Sequence, residues 1–178
     1  AVLVADLADG LRRHNTTADL LDRDEVWMAK RTALERVFDV PRSPSRKVSF
    51  AAFLAEEGEH LQIFAKWCAL AEQIGPRWDE WPEQAKTVEP DPHRIEFYAW
   101  LQWIFDEQLE HAQRELLQAG MKMGIVQDLA IGVHPFAAAT WAWPDLRNRG
   151  FRVGAPPDMF SPAGQDWLQP PLNPVSLA

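Results

Sequence analysis

The feature that most constrains this chain is a change of pattern at Gly120. Before it, nearly everything reads as helix. After it comes one short, β-branched run, Met121 to Asp128, that directly follows a helix–glycine junction. Such a run predicts a buried parallel strand over 122–128. A long helix feeding one parallel strand is half of an α/β unit, and one strand cannot satisfy its own backbone or cover both of its faces. Either the strand reading fails, or the sheet it joins lies mostly outside this chain.

The helical reading rests on spacing. Residues 3–14 and 18–38 carry apolar positions at helical intervals. In the second segment Leu20, Leu21, Val26, Ala29, Ala33, Leu34 and Val37 form one stripe, and Thr17 or Asp19 is its expected cap. A third helix is predicted from Ser49 to Ile74, ended by Gly75-Pro76. A Trp- and Pro-punctuated connection, Arg77 to Pro92, should hold about one helical turn. A fourth helix is predicted from His93 to Ala119, with Phe97, Trp100, Leu101, Ile104, Phe105, Leu109, Ala112 and Leu116 on its buried side. Beyond Val133 the chain reads as loop, with short turns over 136–143 and 144–149.

At 178 residues and 47% hydrophobic, the chain is long enough and apolar enough for a packed core. Its formal charge of −8 argues against nucleic acid. No run approaches the roughly 18 apolar residues of a membrane span, and the N-terminus shows no leader pattern. A single cysteine, Cys68, cannot form an internal disulfide, which fits a cytoplasmic setting. Nine tryptophans stand against one tyrosine. Trp27, Trp67, Trp100 and Trp103 fall on helical faces and are expected to pack inward, although rings that grip a flat apolar ligand are the competing account.

Most constellations that could carry chemistry fall away. Glu57-x-x-His60 has the spacing of a di-iron helix bundle, but its nearest partner, Glu107-x-x-x-His111, has another spacing, so a solvated face is expected and no metal. There is no Gly-x-Ser-x-Gly and no Gly-rich phosphate loop. His134, in Gly132-Val-His-Pro, fits either a functional or a backbone-positioning role. Asp128 is stronger: a carboxylate closing an apolar strand must be paired or point into a site, and substrate-handling groups gather at the carboxyl ends of barrel strands. The stretch Gly154 to Pro171 is richest. It sets Asp158, Phe160, Gln165, Asp166 and Trp167 among prolines and glycines, which lower the entropy cost of one fixed loop shape. Such a loop suits sugars, with rings against pyranose faces and polar groups on the hydroxyls.

In this order these segments resemble the 4-alpha-glucanotransferases of glycoside hydrolase family 77, the actinobacterial branch above all. Phe97-x-x-Trp-Leu-Gln102-Trp103 with Asp106-Glu-Gln108-Leu is similar to the helix before the family's third barrel strand. Met123-Gly-Ile-Val-Gln-Asp128-Leu-Ala-Ile-Gly-Val resembles that strand and its aspartate. Val153-Gly-Ala-Pro-Pro-Asp158 through Gly164-Gln165-x-Trp167 resembles the substrate-covering loop. The likeness is good over about the last 130 residues and loose over the first 45.

The resemblance implies an α/β fold: a fragment of a (β/α)8 TIM barrel with helical insertions, this piece mostly α-helical with one or two parallel strands. Residues 1–92 would be a helical insertion or subdomain region, and 93–178 the barrel helix, third-strand region and covering loop. It implies a maltooligosaccharide or α-1,4-glucan substrate, no cofactor, and a retaining mechanism with one carboxylate as nucleophile and another as acid/base. Asp128, Asp158, Phe160, Gln165 and Trp167 match positions that bind substrate or seal the site from water. No segment resembles the strand that carries the nucleophile, so both catalytic carboxylates are expected C-terminal to Ala178 and this chain alone should be inactive. The ends, Ala in place of Met and an extended Asn-Pro-Val-Ser-Leu-Ala, fit an internal piece. There are three departures from the family pattern: Leu168 stands where glycine or a small residue is usual, Ala139 where an acidic residue is usual, and Phe136-Ala137 replaces a polar-Gly pair. A standalone helical carbohydrate-binding or interaction module is the alternative.

Overall fold

The computed structural model describes residues 4–14, 21–129, 132–148 and 150–177. Six α-helices occur among them: α1 (Ala5–His14), α2 (Arg23–Phe38), α3 (Pro44–Ile74), α4 (Glu83–Thr87), α5 (Pro92–Gln118) and α6 (Ala138–Ala142). Two short strands follow, β1 (Val153–Ala155) and β2 (Gln165–Gln169). The chain divides into two compact units, 1–52 and 53–178.

In the first unit, α2 begins at Asp22, whose carboxylate accepts the Glu25 N–H at 2.9 Å. Thr17 and Asp19, the expected caps, lie outside the described residues. An ion pair joins Arg36 to Asp6 at 2.7 Å. The Arg42 guanidinium lies over the rings of Phe38 and Phe50, 5.1 and 5.0 Å from their centroids. Trp27, expected to pack inward, is 43% exposed.

The third helix starts five residues earlier than its apolar spacing predicts, because Pro44 fits a first turn, where a missing N–H costs nothing. It is also interrupted. Gly58 takes φ 58°, ψ −139°, a conformation closed to other residues, so the helix kinks between Glu57 and His60. Further along, α3 is fastened to α5 by side chains. Arg94 grips Glu72 with both carboxylate oxygens at 2.7 and 2.9 Å, and the Tyr98 hydroxyl donates to the same carboxylate at 3.0 Å. Helix α5 buries Phe97, Tyr98, Ala99, Trp100 and Trp103. Phe105, assigned to the buried side by spacing, is 58% exposed.

Between α3 and α5 the tryptophans hold the connection. Leu70, Trp81 and Ala85 form a buried cluster with Trp67, Ala71, Trp78 and Trp141 packed against it. The Trp81 indole N–H donates to the Gly75 carbonyl at 2.8 Å, and its ring meets Trp141 at 6.2 Å. Trp78 donates to Thr140 Oγ1 at 3.3 Å. Through these contacts the connection, the end of α3 and the region of α6 form one packed unit.

Residues 122–128 are not a strand. After Gly120 the described chain pairs with no strand, and one side chain from α5 takes the place of a neighbouring strand. Gln113 donates from Nε2 to the Met123 carbonyl at 3.0 Å, and its Oε1 accepts the Ile125 N–H at 2.7 Å. A strand exists only through partners, and the described residues offer none here. The two strands that do form lie in the stretch read as loop, and they are antiparallel rather than parallel.

Burial pushes the Cys68 thiol up to about 12, with the Glu72 charge adding to the effect. Almost no thiolate exists near neutral pH. We expect Cys68 to react negligibly with a disulfide reagent at pH 8 in the native protein, and at an ordinary thiol rate in denaturant. Fast native labelling would contradict this packing.

Candidate functional site

The end of the second unit is a hairpin whose irregularity fixes its groups. Two residues make the tip rigid. Asp158 Oδ1 accepts the N–H groups of Phe160 at 2.8 Å and Ser161 at 2.6 Å, and its own N–H donates to the Ser161 carbonyl at 3.1 Å. Ser161 Oγ donates to the Gly164 carbonyl at 3.0 Å, while the Gly164 N–H returns to Ser161 O at 2.9 Å. Asp158 therefore shapes its own turn. The consequence is a Phe160 ring held 88% exposed on an ordered tip.

From that tip the chain enters β2. Gln165 and Trp167 are two apart, and the Trp167 indole N–H donates to Gln165 Oε1 at 2.9 Å. The ladder pairs Ala155 with Gln165, Gly154 with Asp166, and then Val153 with Gln169, so Trp167 and Leu168 bulge outward. The strands meet closely at Gly154: a Cβ there would stand 2.0 Å from the Gln165 carbonyl oxygen, which only glycine avoids. Trp167 is 49% exposed. Next to it, Leu168 has φ 58°, and it is the one non-glycine residue with positive φ among the described residues. The position where a glycine or small residue is usual is thus left-handed. Asp166 supports it, its Oδ1 accepting the Leu168 N–H at 2.8 Å while Oδ2 takes Arg152 Nη1 at 2.8 Å.

Asp128 stands apart. It lies in the extended segment after Gly120, is exposed, and has no hydrogen bond or ion pair among the described residues. The structure brings Asp158, Phe160, Gln165 and Trp167 onto one hairpin, and Asp128 makes no hydrogen bond or ion pair to them.

A cleft of about 500 Å³ lies at the base of the hairpin, lined by Arg77, Trp78, His134, Phe136, Arg152 and Leu168 among others. His134 acts locally, its Nδ1 accepting the Phe136 N–H at 3.2 Å. The Phe136 ring lies under the Arg77 guanidinium at 4.2 Å, so this departure from the family pattern supplies a cation–π contact. Thr140 is buried, its single hydroxyl proton shared between the Pro135 and Ala137 carbonyls, both 2.8 Å from Oγ1. Thr140 and Arg152 carry no signal in the sequence reading, and Asp166 is named there only as part of the polar stretch, without a role of its own. The spacing Asp166-x-Leu168 beside a tryptophan was a usable signal for the last.

Glu57 and His60 flank the break at Gly58, so they do not share a regular helical turn, and His60 packs against the Trp143 ring at 5.4 Å. Among the described residues no group of three or more His, Cys, Asp or Glu could hold a metal ion. No described helix is long and apolar enough to cross a membrane.

The second unit thus carries an ordered, ring-bearing hairpin on a body of packed helices. The chain belongs to the 4-alpha-glucanotransferase family, glycoside hydrolase family 77, whose model matches residues 2–178. It is 46% identical over 184 aligned residues to the 4-alpha-glucanotransferase of Mycobacterium tuberculosis (strain H37Rv), covering 98% of this chain and 25% of that protein. Among solved structures, the amylomaltase from Corynebacterium glutamicum superimposes with a TM-score of 0.82 at 41% identity, covering 98% of this chain and 24% of that one. The amylomaltase from Streptococcus agalactiae in complex with acarbose superimposes at 0.72 and 24% identity, covering 86% and 34%, and shows the fold alone. The fold is that of a part of a TIM barrel with helical insertions. The chain spans about a quarter of the length of the Mycobacterium and Corynebacterium proteins and about a third of the Streptococcus one.

Asp158→Ala should leave the Phe160 and Ser161 amides unprotected, raising their hydrogen exchange relative to the rest of the hairpin, whereas Asp158→Asn, which keeps an acceptor, should change it little. Unchanged exchange in the alanine variant would remove Asp158 from its turn-forming role. For Asp166, the hydrogen bonds from Arg152 and then the Leu168 N–H hold the carboxyl below its ordinary 3.8. A depressed carboxyl stabilises the loop above the unfolded value and loses that contribution as pH falls through the folded one. The Leu168 amide resonance should accordingly titrate with a midpoint below 3.8, and Arg152→Ala should move it upward.

Proposed function

We propose that this chain is part of a 4-alpha-glucanotransferase that moves α-1,4-glucan segments between maltooligosaccharides by a retaining double displacement. The observation that carries the reading is the family match, which runs through almost the whole chain at 46% identity to a named 4-alpha-glucanotransferase. A match in step with a quarter of such enzymes does not favour a standalone carbohydrate-binding module.

On this reading residues 1–92 are a helical insertion of the barrel. Residues 93–178 supply a barrel helix, the third-strand segment and the covering loop. Phe160 and Trp167 offer rings to pyranose faces. Gln165 contributes its amide, and Asp158 has Oδ2 for a glucan hydroxyl because Oδ1 is spent on its turn. Asp128 lines the donor side. Covering the site matters for transfer, since the 4-hydroxyl of a second glucan must reach the glycosyl-enzyme before water does. Nucleophile and acid/base both belong to other parts of the protein, no cofactor is needed, and the setting is the cytoplasm.

The test is disproportionation of maltotriose. The full-length protein should release glucose and form longer oligosaccharides, and residues 1–178 alone should release none. Trp167→Ala in the full-length protein should raise KM and the share of hydrolysis. Glucose from the 178-residue chain, or a full-length protein that only hydrolyses, would overturn the reading.

A further inference from the structure

We propose that Asp166 and Arg152 are positioning residues for Trp167, acting through the left-handed backbone of Leu168. The proposal deepens the reading above, in which the Trp167 ring meets glucan.

The ladder between β1 and β2 is regular at Ala155–Gln165 and Gly154–Asp166 and then skips to Val153–Gln169. Trp167 and Leu168 hang in the gap, so no ladder hydrogen bond fixes where the indole stands. Something else must. Leu168 at φ 58° turns the chain back to Gln169, and a leucine there is strained, because its Cβ crowds the backbone in the left-handed region. That conformation persists only if the surroundings hold it.

Asp166 is the holding group. Its Oδ1 accepts the Leu168 N–H at 2.8 Å, closing a turn around Trp167. Its Oδ2 accepts from Arg152 Nη1 at 2.8 Å, and Arg152 immediately precedes β1, so the carboxylate is anchored to the opposite strand beyond the ladder. Both oxygens are engaged, one on the strained residue and one on the anchor. The indole N–H to Gln165 Oε1 at 2.9 Å then fixes the ring about its remaining freedom. Arg152 and Leu168 also line the cleft at the hairpin's base, so this arrangement joins its two sides.

The experiment uses the full-length protein labelled with 5-fluorotryptophan, the Trp167 signal being assigned by its loss in Trp167→Phe. In Asp166→Ala that 19F resonance should shift or broaden, and Arg152→Ala should move it in the same direction. Adding Leu168→Gly to Asp166→Ala should restore it, since glycine enters the left-handed region without support. The unfolding midpoint of each variant, measured alongside, separates a positioning effect from a general loss of stability. The KM for maltotriose should follow, rising about three- to tenfold in Asp166→Ala and returning to within about twofold in the double variant, with kcat little changed. Adding Asp166→Ala to Trp167→Ala should raise KM no further. An unmoved 19F signal in Asp166→Ala, or one that Leu168→Gly does not restore, overturns the proposal. A moved and restored signal with KM unaffected in both Trp167→Ala and Asp166→Ala upholds the positioning role and overturns the glucan contact instead.

Discussion

The packing of Trp81 onto Leu70, with its indole N–H on the Gly75 carbonyl, is the contact from which the second unit is organised. The end of α3 is a point where the chain could depart in many directions. A ring that is buried and hydrogen-bonded to the last turn leaves one. Trp141 and Thr140 then join the same cluster from 60 residues further on through Trp81 and Trp78. The segment that leads into the hairpin is thereby tied to the helical body. Without this anchor the loop's ordered tip would have nothing to be ordered against.

How much of this was legible depends on whether structure follows from local spacing or from partners. Helices α2, α3 and α5 follow from apolar periodicity, and Gly75 and Gly120 mark their ends correctly. Gly58 was invisible because a single glycine in a helical pattern does not announce whether it bends the chain. Asp22 is hard to read as a cap because apolar spacing already begins at Leu20. Residues 122–128 have the composition of a strand, yet pairing decides, and Gln113 answers their backbone groups instead. The reverse error concerns Gly154 to Gln169: the bulge at Trp167 and Leu168 breaks the alternation that marks a strand, and prolines hide the rest. Trp27 and Phe105 show that a helical stripe assigns a face without saying what covers it.

The site divides in the same manner. Asp158, Phe160, Gln165 and Trp167 were legible as a group because rings and polar groups crowd a rigid stretch, and they do share one hairpin. What the sequence could not convey is the division of labour among them. Asp158 spends one oxygen on its own turn, and Asp166, outside the named set, carries the backbone of its neighbour. Leu168 marks itself out as a family departure, and the reason it matters is a torsion angle.

The segment after Gly120 leaves apolar side chains without cover among the described residues. Met123, Val126 and Leu129 stand open to water, Leu129 at 83%, beside backbone groups that only Gln113 partly answers. In a closed barrel each strand finds its partners and its cover in its neighbours, and this chain is only part of such a barrel.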